Sequence, residues 1–276
     1  MLITDQFVML HNPKTGSTFA RNVVMDLHAS RVAAGSAYRR MLRRIGIRTL
    51  PASVKELILP HARVTAVPKK PNPHGTFAQI PDEYRDRKVV SIVRNPYSWL
   101  LSSYEFGWWK QHPNVPLPML RQHIPSFPNL SLDDYVKLCE LDAACRVGKD
   151  LASTAAGLET IQFIQMFFKH PPAVLAGLTQ SYIDSSQVFD DIADIYFLRQ
   201  EHLNEDLALF LAQHGFSAEE ADSIRHRPRA NVTPSGITDR SRLWTPTARA
   251  YVRDRERLIF RILKSKGIHY ELDQCQ

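Results

Sequence analysis

Two stretches of the chain carry side chains that can bind a phosphate-like anion. In the first, the apolar run Phe7–Leu10 is followed by Lys14, Gly16, Ser17 and Thr18. A glycine allows a tight turn, and the helix that follows offers unpaired N–H groups and the positive end of its dipole. Lys14 adds a full charge, and the two hydroxyls add donors. The pattern predicts an anion-binding loop between a buried strand and a helix.

This loop differs from the common nucleoside triphosphate loop. The pattern G-x-x-x-x-G-K-[ST] is absent, and Lys14 precedes the only glycine of the loop. The expected anion is therefore not a triphosphate. A helix start with Ser or Thr caps accounts for the same residues without a ligand, so a second element has to decide between the two interpretations.

The second stretch is a β-branched run, Lys88–Val93, that leads into Arg94 and then into a helix. Ser102 lies about two turns along that helix, on the same face as Ser98, so Arg94 and a serine hydroxyl can bind one phosphate group. In ATPases and GTPases such a strand commonly ends in an aspartate that helps to hold magnesium. An arginine at this place favours direct binding of an anion. An ion pair of Arg94 with a surface carboxylate is the alternative.

The two stretches together resemble a known enzyme family. Residues 11–18, His-Asn-Pro-Lys-Thr-Gly-Ser-Thr, are similar to the 5'-phosphosulfate loop of sulfotransferases that use 3'-phosphoadenosine 5'-phosphosulfate, particularly the carbohydrate-type and bacterial branches. Arg94, followed eight positions later by Ser102, resembles the 3'-phosphate clamp of the same enzymes. The resemblance implies a P-loop-like α/β domain that transfers a sulfuryl group in line to an acceptor hydroxyl, with a carbohydrate or glycolipid favoured.

The resemblance also implies roles for individual residues. Lys14 is expected to neutralise charge on the leaving phosphate oxygen, and adenosine 3',5'-bisphosphate is the expected product, with no metal required. The segment around Arg229, Asn231 and Thr233–Gly236 resembles the loop that covers the cofactor near the C-terminus of such enzymes. The expected cofactor-binding residues are Pro13, Lys14, Thr15, Gly16, Ser17, Thr18, Arg94 and Ser102.

Sulfuryl transfer to a hydroxyl needs a proton acceptor, and His74 is the predicted one. Its segment follows a predicted strand at Arg63–Val67, and an imidazole titrates near neutral pH. Related enzymes place a histidine or glutamate after this strand, often closely preceded by a lysine. Here Lys70 lies four positions before His74, which departs from the Lys-x-His form. His61 is the weaker rival, and a purely structural His74 bonded to a loop carbonyl is the alternative.

Net charge is +7 with pI near 9.4, and the arginines are clustered. Such clusters suit an anionic cofactor or acceptor, or peripheral contact of the Arg31–Arg48 patch with an anionic membrane. A solvated helix face is the alternative. Nucleic acid is not favoured, because no recognised binding motif is present. The two clusters are Arg31, Arg39, Arg40, Arg43, Arg44 and Arg48, and Arg225, Arg227, Arg229, Arg240 and Arg242.

Other composition signals are ordinary. Cys139, Cys145 and Cys275 lack the spacing of a zinc or redox site, and no metal set is predicted. No run is long enough to span a membrane, and the first strand starts close to Met1, so a cytoplasmic protein is expected. A chain trimmed of an N-terminal anchor stays open as the alternative.

Short apolar strands alternate with helices, which predicts one α/β domain over 1–276 with a central parallel sheet flanked by helices, and a helical or loop insertion at about 107–157. The five prolines of His112–Asn129 predict an irregular loop. Trp108 and Trp109 are candidates for an aromatic wall of the acceptor site, with a core position as the alternative. The predicted strands are Gln6–Leu10, Arg63–Val67, Lys88–Val93 and Asp194–Leu198, and the predicted helices are Ser17–Ala29, Pro96–Trp109, Leu132–Cys139, Leu158–Phe168, Asn204–His214 and Thr247–Lys264.

Two other functional classes stay open at this point. A kinase-like phosphotransferase would bind ATP with magnesium and would not require a 3'-phosphate. A non-catalytic module for polyanions would bind with a steep salt dependence and without a need for Lys14.

Overall fold

The structure is a computed structural model that describes residues 1–34, 53–61, 69–228 and 240–270. Its centre is a five-stranded sheet with the strand order β3-β1-β2-β4-β5. The predicted strand Arg63–Val67 lies outside the described residues. The strands are β1 (Leu2–Thr4), β2 (Phe7–Leu10), β3 (Val54–Glu56), β4 (Lys88–Val93) and β5 (Ile195–Arg199).

The sheet is flanked by helices as predicted, but it is mixed and not the predicted parallel sheet throughout. β2, β4 and β5 run parallel, whereas β1 pairs antiparallel with both β2 and β3. β1 and β2 are joined by only two residues, a connection that allows antiparallel but not parallel pairing. Thr4 closes the turn, because its Oγ1 accepts a hydrogen bond from Phe7 N at 2.9 Å and donates one to Phe7 O at 3.0 Å.

Helices cover the sheet on both faces. Short 3₁₀ turns occur at Phe77–Gln79, Asp82–Tyr84, Gln200–His202 and Arg240–Leu243. The helices of the described residues are α1 (Ser17–Ala34), α2 (Pro96–Phe106), α3 (Trp108–Gln111), α4 (Leu117–His123), α5 (Leu132–Val147), α6 (Leu158–Phe167), α7 (Pro171–Ala176), α8 (Gln180–Asp184), α9 (Gln187–Asp191), α10 (Leu203–Gln213), α11 (Ala218–Arg225), α12 (Pro246–Arg255) and α13 (Arg257–Ser265).

Several predicted elements differ in the structure, among them the predicted helix Leu132–Cys139, which extends to Val147 as α5. The predicted helix Pro96–Trp109 ends at Phe106, because Gly107 adopts a left-handed φ of 65° that terminates α2. The predicted irregular loop His112–Asn129 contains α4, since prolines at the first turn of a helix cost no hydrogen bond. The predicted helix Thr247–Lys264 is divided at Glu256 into α12 and α13.

The hydrophobic core is divided by the sheet. Val8, Leu10 and Val89 pack on one side against α6 and α13, whereas Phe7 and Met9 pack on the other side against α1 and α10. The central strands are therefore buried on both faces, as expected for parallel strands covered by helices.

A third buried cluster joins residues from α2, α3, α4, α5 and α12. Much of the segment 107–157 packs in this cluster. Ala248, Tyr251 and Val252 of α12 belong to this cluster. The apolar face predicted for one C-terminal helix is therefore buried, but its residues are divided between α12 and α13. Within the described ranges, no helix combines the length and apolar character needed to cross a bilayer.

Candidate active site

The lysine loop and the arginine strand meet at one edge of the sheet. β2 and β4 are neighbouring parallel strands, so the residues that follow them emerge side by side. Arg94 Nη1 donates a hydrogen bond to the backbone oxygen of Lys14 at 3.1 Å. The Arg94 guanidinium is thereby joined to the backbone of the lysine loop, 80 positions away in the chain, as expected for the carboxyl ends of neighbouring parallel strands.

Asn12 holds the loop together from inside. Its backbone oxygen accepts hydrogen bonds from Thr15 Oγ1 at 2.9 Å and Ser17 Oγ at 3.0 Å, and its Nδ2 donates to Ile92 O at 3.3 Å. Thr15 and Ser17 are buried, whereas Thr18 is exposed in the first turn of α1. The two buried hydroxyls stabilise the loop, and Gly16 O accepts hydrogen bonds from Phe19 N at 3.0 Å and Ala20 N at 3.3 Å in the first turn of α1.

Two residues of the loop have left-handed backbone angles. Gly16 has a φ of 85°, and Lys14 has a φ of 63°, which is unusual for a residue with a side chain. Such strained angles persist where surrounding contacts hold them, and they cluster at ligand-binding sites. The Arg94 bond to the Lys14 carbonyl is one of these contacts.

The Lys14 side chain lies against an aromatic ring in a half-buried position. Its Nζ is 3.7 Å from the ring centroid of Phe106, a cation–π contact. Burial lowers the pKa of Lys14, the nearby charge of Arg94 lowers it further, and Glu105 opposes the change. Two cations in this proximity favour the binding of an anion, which relieves their mutual repulsion.

Arg94 is oriented by the helix that follows it. Its Nε donates to Ser98 Oγ at 2.9 Å, and Ser98 Oγ donates to Asn95 O at 3.1 Å. The Asn95 side chain caps α2 by accepting from Tyr97 N at 3.0 Å, as predicted. Ser102 lies one turn beyond Ser98 and is buried. The hydroxyl that accepts the hydrogen bond from Arg94 Nε is thus that of Ser98. The spacing of four positions between Arg94 and Ser98 is consistent with this contact, whereas the family motif names Ser102.

His74 lies beside the end of β2. Its Nδ1 is 2.7 Å from the backbone oxygen of His11, and its backbone N donates to Asn72 Oδ1 at 2.9 Å. A carbonyl can only accept, so the neutral ring carries its proton on Nδ1, and Nε2 is the basic nitrogen. His11 itself is buried, and burial holds its pKa well below the ordinary value of 6.5.

A small cavity of about 60 Å³ opens beside the lysine loop. It has room for about two water molecules. Motif-based prediction missed Glu159 and Gln162 of its lining, because they come from α6, which carries no recognised motif. It also missed Ser103, the position next to the motif residue Ser102 on α2. The cavity is lined by Pro13, Lys14, Trp99, Ser103, Tyr135, Leu158, Glu159 and Gln162.

The two neighbouring tryptophans have different environments. Trp109 is 8% exposed and packs against Tyr104 and Tyr135, whereas Trp108 is 57% exposed. Trp108 stacks on Phe106 with ring centroids 6.2 Å apart, and Phe106 is 52% exposed. The aromatic surface beside Lys14 is therefore formed by Phe106 and Trp108, whereas Trp109 is in the core, the alternative that was open for both tryptophans.

Several arginines of the two clusters noted in the sequence form ion pairs with carboxylates. Arg31 contacts Glu220, Arg225 contacts Glu205, and Arg227 contacts Asp26 at 3.3 Å. Arg39 to Arg48, the segment 229–236 and Cys275 lie outside the described residues. Cys139 and Cys145 are free thiols, and the described ranges contain no group of three side chains placed to hold a metal.

Comparisons of this chain with protein-family models, curated proteins and solved structures found no match.

Proposed function

We propose that this protein is a sulfotransferase that moves a sulfuryl group from 3'-phosphoadenosine 5'-phosphosulfate to an acceptor hydroxyl. One observation carries the proposal, namely the hydrogen bond of 3.1 Å from Arg94 Nη1 to the Lys14 backbone oxygen. This bond unites the two motifs that would hold the two phosphate groups of the donor. A donor with phosphates at both the 3' and 5' positions matches a site with two separate cationic side chains.

The lysine loop is suited to the 5' end of the donor. The positive end of the α1 dipole, the exposed Thr18 hydroxyl and Lys14 all favour an anion there. When bound, the donor supplies an activated sulfur, whose bond to the phosphate oxygen breaks as the acceptor oxygen attacks. Lys14 would then neutralise the charge that develops on the phosphate, a preorganised electrostatic contribution.

The arginine is suited to the 3'-phosphate. Arg94 Nε is bonded to Ser98 Oγ at 2.9 Å, so the guanidinium is held in one orientation before a ligand arrives. Preorganised guanidinium groups bind phosphate with geometric selectivity. Ser102 of the same helix is the further residue that the family motif assigns to this phosphate.

His74 is the proposed proton acceptor of the reaction. The bond of 2.7 Å between Nδ1 and the His11 carbonyl leaves Nε2 as the basic nitrogen. His74 follows a segment that lies outside the described residues, but its ring is at the same edge of the sheet as the lysine loop. The acceptor hydroxyl would lose its proton to Nε2 as its oxygen bonds to sulfur.

A carbohydrate or glycolipid is the proposed acceptor class. The exposed rings of Phe106 and Trp108 adjoin the Lys14 ammonium, which is 3.7 Å from the Phe106 centroid. Large rings that are exposed next to a reacting group provide an apolar surface for the face of a sugar ring.

Calorimetric titration tests the proposal directly. Adenosine 3',5'-bisphosphate, 5'-AMP and ATP are each titrated with and without magnesium into the wild-type protein, Arg94→Ala and Arg225→Ala. We expect metal-independent binding of the bisphosphate that weakens at least tenfold, a loss of roughly 1.4 kcal/mol, in Arg94→Ala. Arg225 is paired with Glu205 on the surface and belongs to neither anion motif, so Arg225→Ala should bind as the wild type does.

The rival classes give different results in the same titration. Tighter binding of ATP that needs magnesium would instead support a phosphotransferase. Equal binding of all three nucleotides, abolished by salt and indifferent to Arg94, would support a polyanion-binding module.

A further inference from the structure

The end of β5 lies beside the turn that carries Arg94. β4 and β5 are neighbouring parallel strands, and Val93 is paired with Arg199 in their register. Asn95 and Glu201 follow these two partners by two positions each, so they emerge side by side at the edge of the sheet where the lysine loop lies. Glu201 is in the 3₁₀ turn after β5 and is not among the residues assigned to the donor.

Both oxygens of the Glu201 carboxylate accept hydrogen bonds from distant parts of the chain. Oε1 accepts from the backbone N of Asn95 at 2.9 Å, and Oε2 accepts from the hydroxyl of Tyr270 at 2.8 Å. These partners are 106 and 69 positions away. Glu201 therefore connects the turn after β4 with the residues that follow α13.

Asn95 links this carboxylate to the Arg94 side chain. Asn95 is 7% exposed and caps α2 through the hydrogen bond from Tyr97 N. Its backbone oxygen accepts from Ser98 Oγ at 3.1 Å, and Ser98 Oγ accepts from Arg94 Nε at 2.9 Å. A chain of hydrogen bonds thus runs from the Glu201 carboxylate through the N-terminus of α2 to the Arg94 guanidinium.

Tyr270 holds the second oxygen of this carboxylate. Its ring is half-buried and packs against the core cluster that contains Val8 and Leu10. Burial raises the pKa of Tyr270 well above its ordinary value of 10.0, and the charge of Glu201 acts in the same direction, so the phenol keeps its proton and is the donor. A carboxylate with a donor on each oxygen is held in one orientation, as required of a group that supports a binding residue.

A carboxylate beside a site proposed for an anion needs a physical reason, because it repels a phosphate group. The backbone N–H of Asn95 supplies that reason. A shielded N–H without an acceptor is costly, and the turn at Asn95 is free to shift if nothing holds this donor. Glu201 provides the acceptor from the neighbouring strand.

We infer that Glu201 is a positioning residue whose carboxylate, held by Tyr270, fixes the turn at Asn95 so that Arg94 is oriented for the 3'-phosphate of the donor. This inference rests on the proposed sulfotransferase function and extends it, because it assigns the end of a third parallel strand to the selectivity for a 3'-phosphate. In this role Glu201 acts through Asn95 and does not contact the donor.

The test compares Glu201→Gln with Glu201→Ala. Both variants remove the same negative charge, so any change in affinity that comes from this charge is equal in the two. Glutamine keeps an oxygen that accepts from Asn95 N and offers an N–H to the Tyr270 hydroxyl, whereas alanine keeps neither contact. The difference between the two variants therefore measures the hydrogen bonds and not the charge.

A second pair of variants tests the support given by Tyr270. Tyr270→Phe removes the hydroxyl that holds Glu201, and Tyr182→Phe is the matched control. Tyr182 is also half-buried, and its hydroxyl donates to Asp191 at 2.7 Å. Asp191 precedes β5, so this hydrogen bond lies toward the opposite edge of the sheet from Glu201.

The readout is selectivity for the 3'-phosphate, the ratio of the Kd of 5'-AMP to the Kd of adenosine 3',5'-bisphosphate in calorimetric titration. We expect this ratio to be about fivefold lower in Glu201→Ala than in Glu201→Gln, and about twofold to threefold lower in Tyr270→Phe than in Tyr182→Phe. The Kd of 5'-AMP should be the same within each pair, because 5'-AMP has no 3'-phosphate.

Urea unfolding of the same proteins separates positioning from a merely structural role. A structural role lowers stability and leaves the selectivity equal within each pair, and that result would overturn the inference. If Glu201→Ala does not fold, the tyrosine pair decides, since equal selectivity in Tyr270→Phe and Tyr182→Phe contradicts the inference by itself.

The wild-type titration distinguishes failure of this inference from failure of the proposed function. If the wild type binds adenosine 3',5'-bisphosphate no more tightly than 5'-AMP, the proposed function fails, and this inference fails with it. If the wild type prefers the bisphosphate and the variants keep the same preference within each pair, the inference alone is wrong.

Discussion

Gly16 of the lysine loop lies directly against Leu203, the first residue of α10. A Cβ added to Gly16 would be 2.9 Å from Leu203 Cδ2 and 3.6 Å from Gln200 Cγ, and Gly16 has a φ of 85°. The end of β5 thus limits the space available to the loop that follows β2.

Gly16→Ala should destabilise the protein for two reasons, the left-handed backbone and the contact with Leu203. Gly148→Ala is the matched control, because Gly148 has a φ of 64° and nothing within 4 Å of an added Cβ. We expect about 1 kcal/mol for Gly148→Ala and roughly 1–3 kcal/mol more for Gly16→Ala in urea unfolding. Equal losses would show that Leu203 does not constrain the loop.

Ser98→Ala tests the orientation of Arg94. Loss of the 2.9 Å bond from Arg94 Nε should leave the guanidinium less preorganised and weaken binding of adenosine 3',5'-bisphosphate by roughly threefold to tenfold. Binding of 5'-AMP should change little, because it has no 3'-phosphate. Ser223→Ala, on exposed α11, is the control in the same calorimetric series. An equal effect on both nucleotides would contradict the assignment of Arg94 to the 3'-phosphate.

Glu159→Gln should change how stability depends on pH. The pKa of Glu159 is raised above its ordinary value of 4.5, first by burial and then by Glu256, while Arg146 opposes the shift. Above about pH 4.5 the unfolded chain releases this proton and the folded chain keeps it, so stability falls as pH rises. The other titratable groups of this region are Tyr135, Cys139, Asp142 and Tyr251.

The measurement is urea unfolding at about pH 5 and about pH 7 for the wild type and Glu159→Gln. The variant should gain stability relative to the wild type at the higher pH, by up to about 1.4 kcal/mol for each pH unit over which Glu159 stays protonated. Parallel pH profiles would mean that Glu159 ionises in the folded protein at its ordinary pKa.

His11→Gln should reduce the sensitivity of the fold to mild acid. Burial, with nearby positive groups such as Arg21, holds the pKa of His11 well below 6.5. Below about pH 6.5 His11 is protonated in the unfolded chain but stays neutral in the folded protein, so stability is lost as pH falls. The wild type should lose more stability than the variant between about pH 7 and about pH 5. Exposed His123 provides the control His123→Gln, which should keep the wild-type profile.

Trp109→Ala should mainly reduce stability, whereas Trp108→Ala should mainly affect the reaction. Trp109 is 8% exposed, so its removal should cost about 3–5 kcal/mol of unfolding free energy. Trp108 is 57% exposed, so its loss should stay within about 0.5 kcal/mol while it weakens turnover of a ring-shaped acceptor. Unchanged acceptor KM in Trp108→Ala, measured with a panel of glycosides, would contradict the proposed aromatic surface.

Much of the local structure follows from local chemistry. Strand β4 has the predicted bounds, and α1 and α2 begin at the predicted residues, because a β-branched run, a capping Asn95 and a proline at the first helical position act over a few residues. The sequence likewise predicted that Lys14 and Gly16 lie in a loop between a strand and a helix, and that Arg94 directly follows a strand. The antiparallel pairing of β1 was missed because a strand of three residues, two of them apolar, carries little periodic signal.

The amino-acid sequence by itself determined where the strand before Arg94 lies and where the helices after Lys14 and Arg94 begin, because these properties depend on residue type and near neighbours. Only the tertiary structure decided that Arg94 contacts the Lys14 carbonyl and Ser98, that Trp108 rather than Trp109 is exposed, and that Glu159 lines the same cavity as Lys14. Glu159 and Glu256 are 97 positions apart. The contact between the Glu159 backbone and the Glu256 carboxylate depends on burial and on distance in space, and neither quantity is encoded in the spacing of residues along the chain.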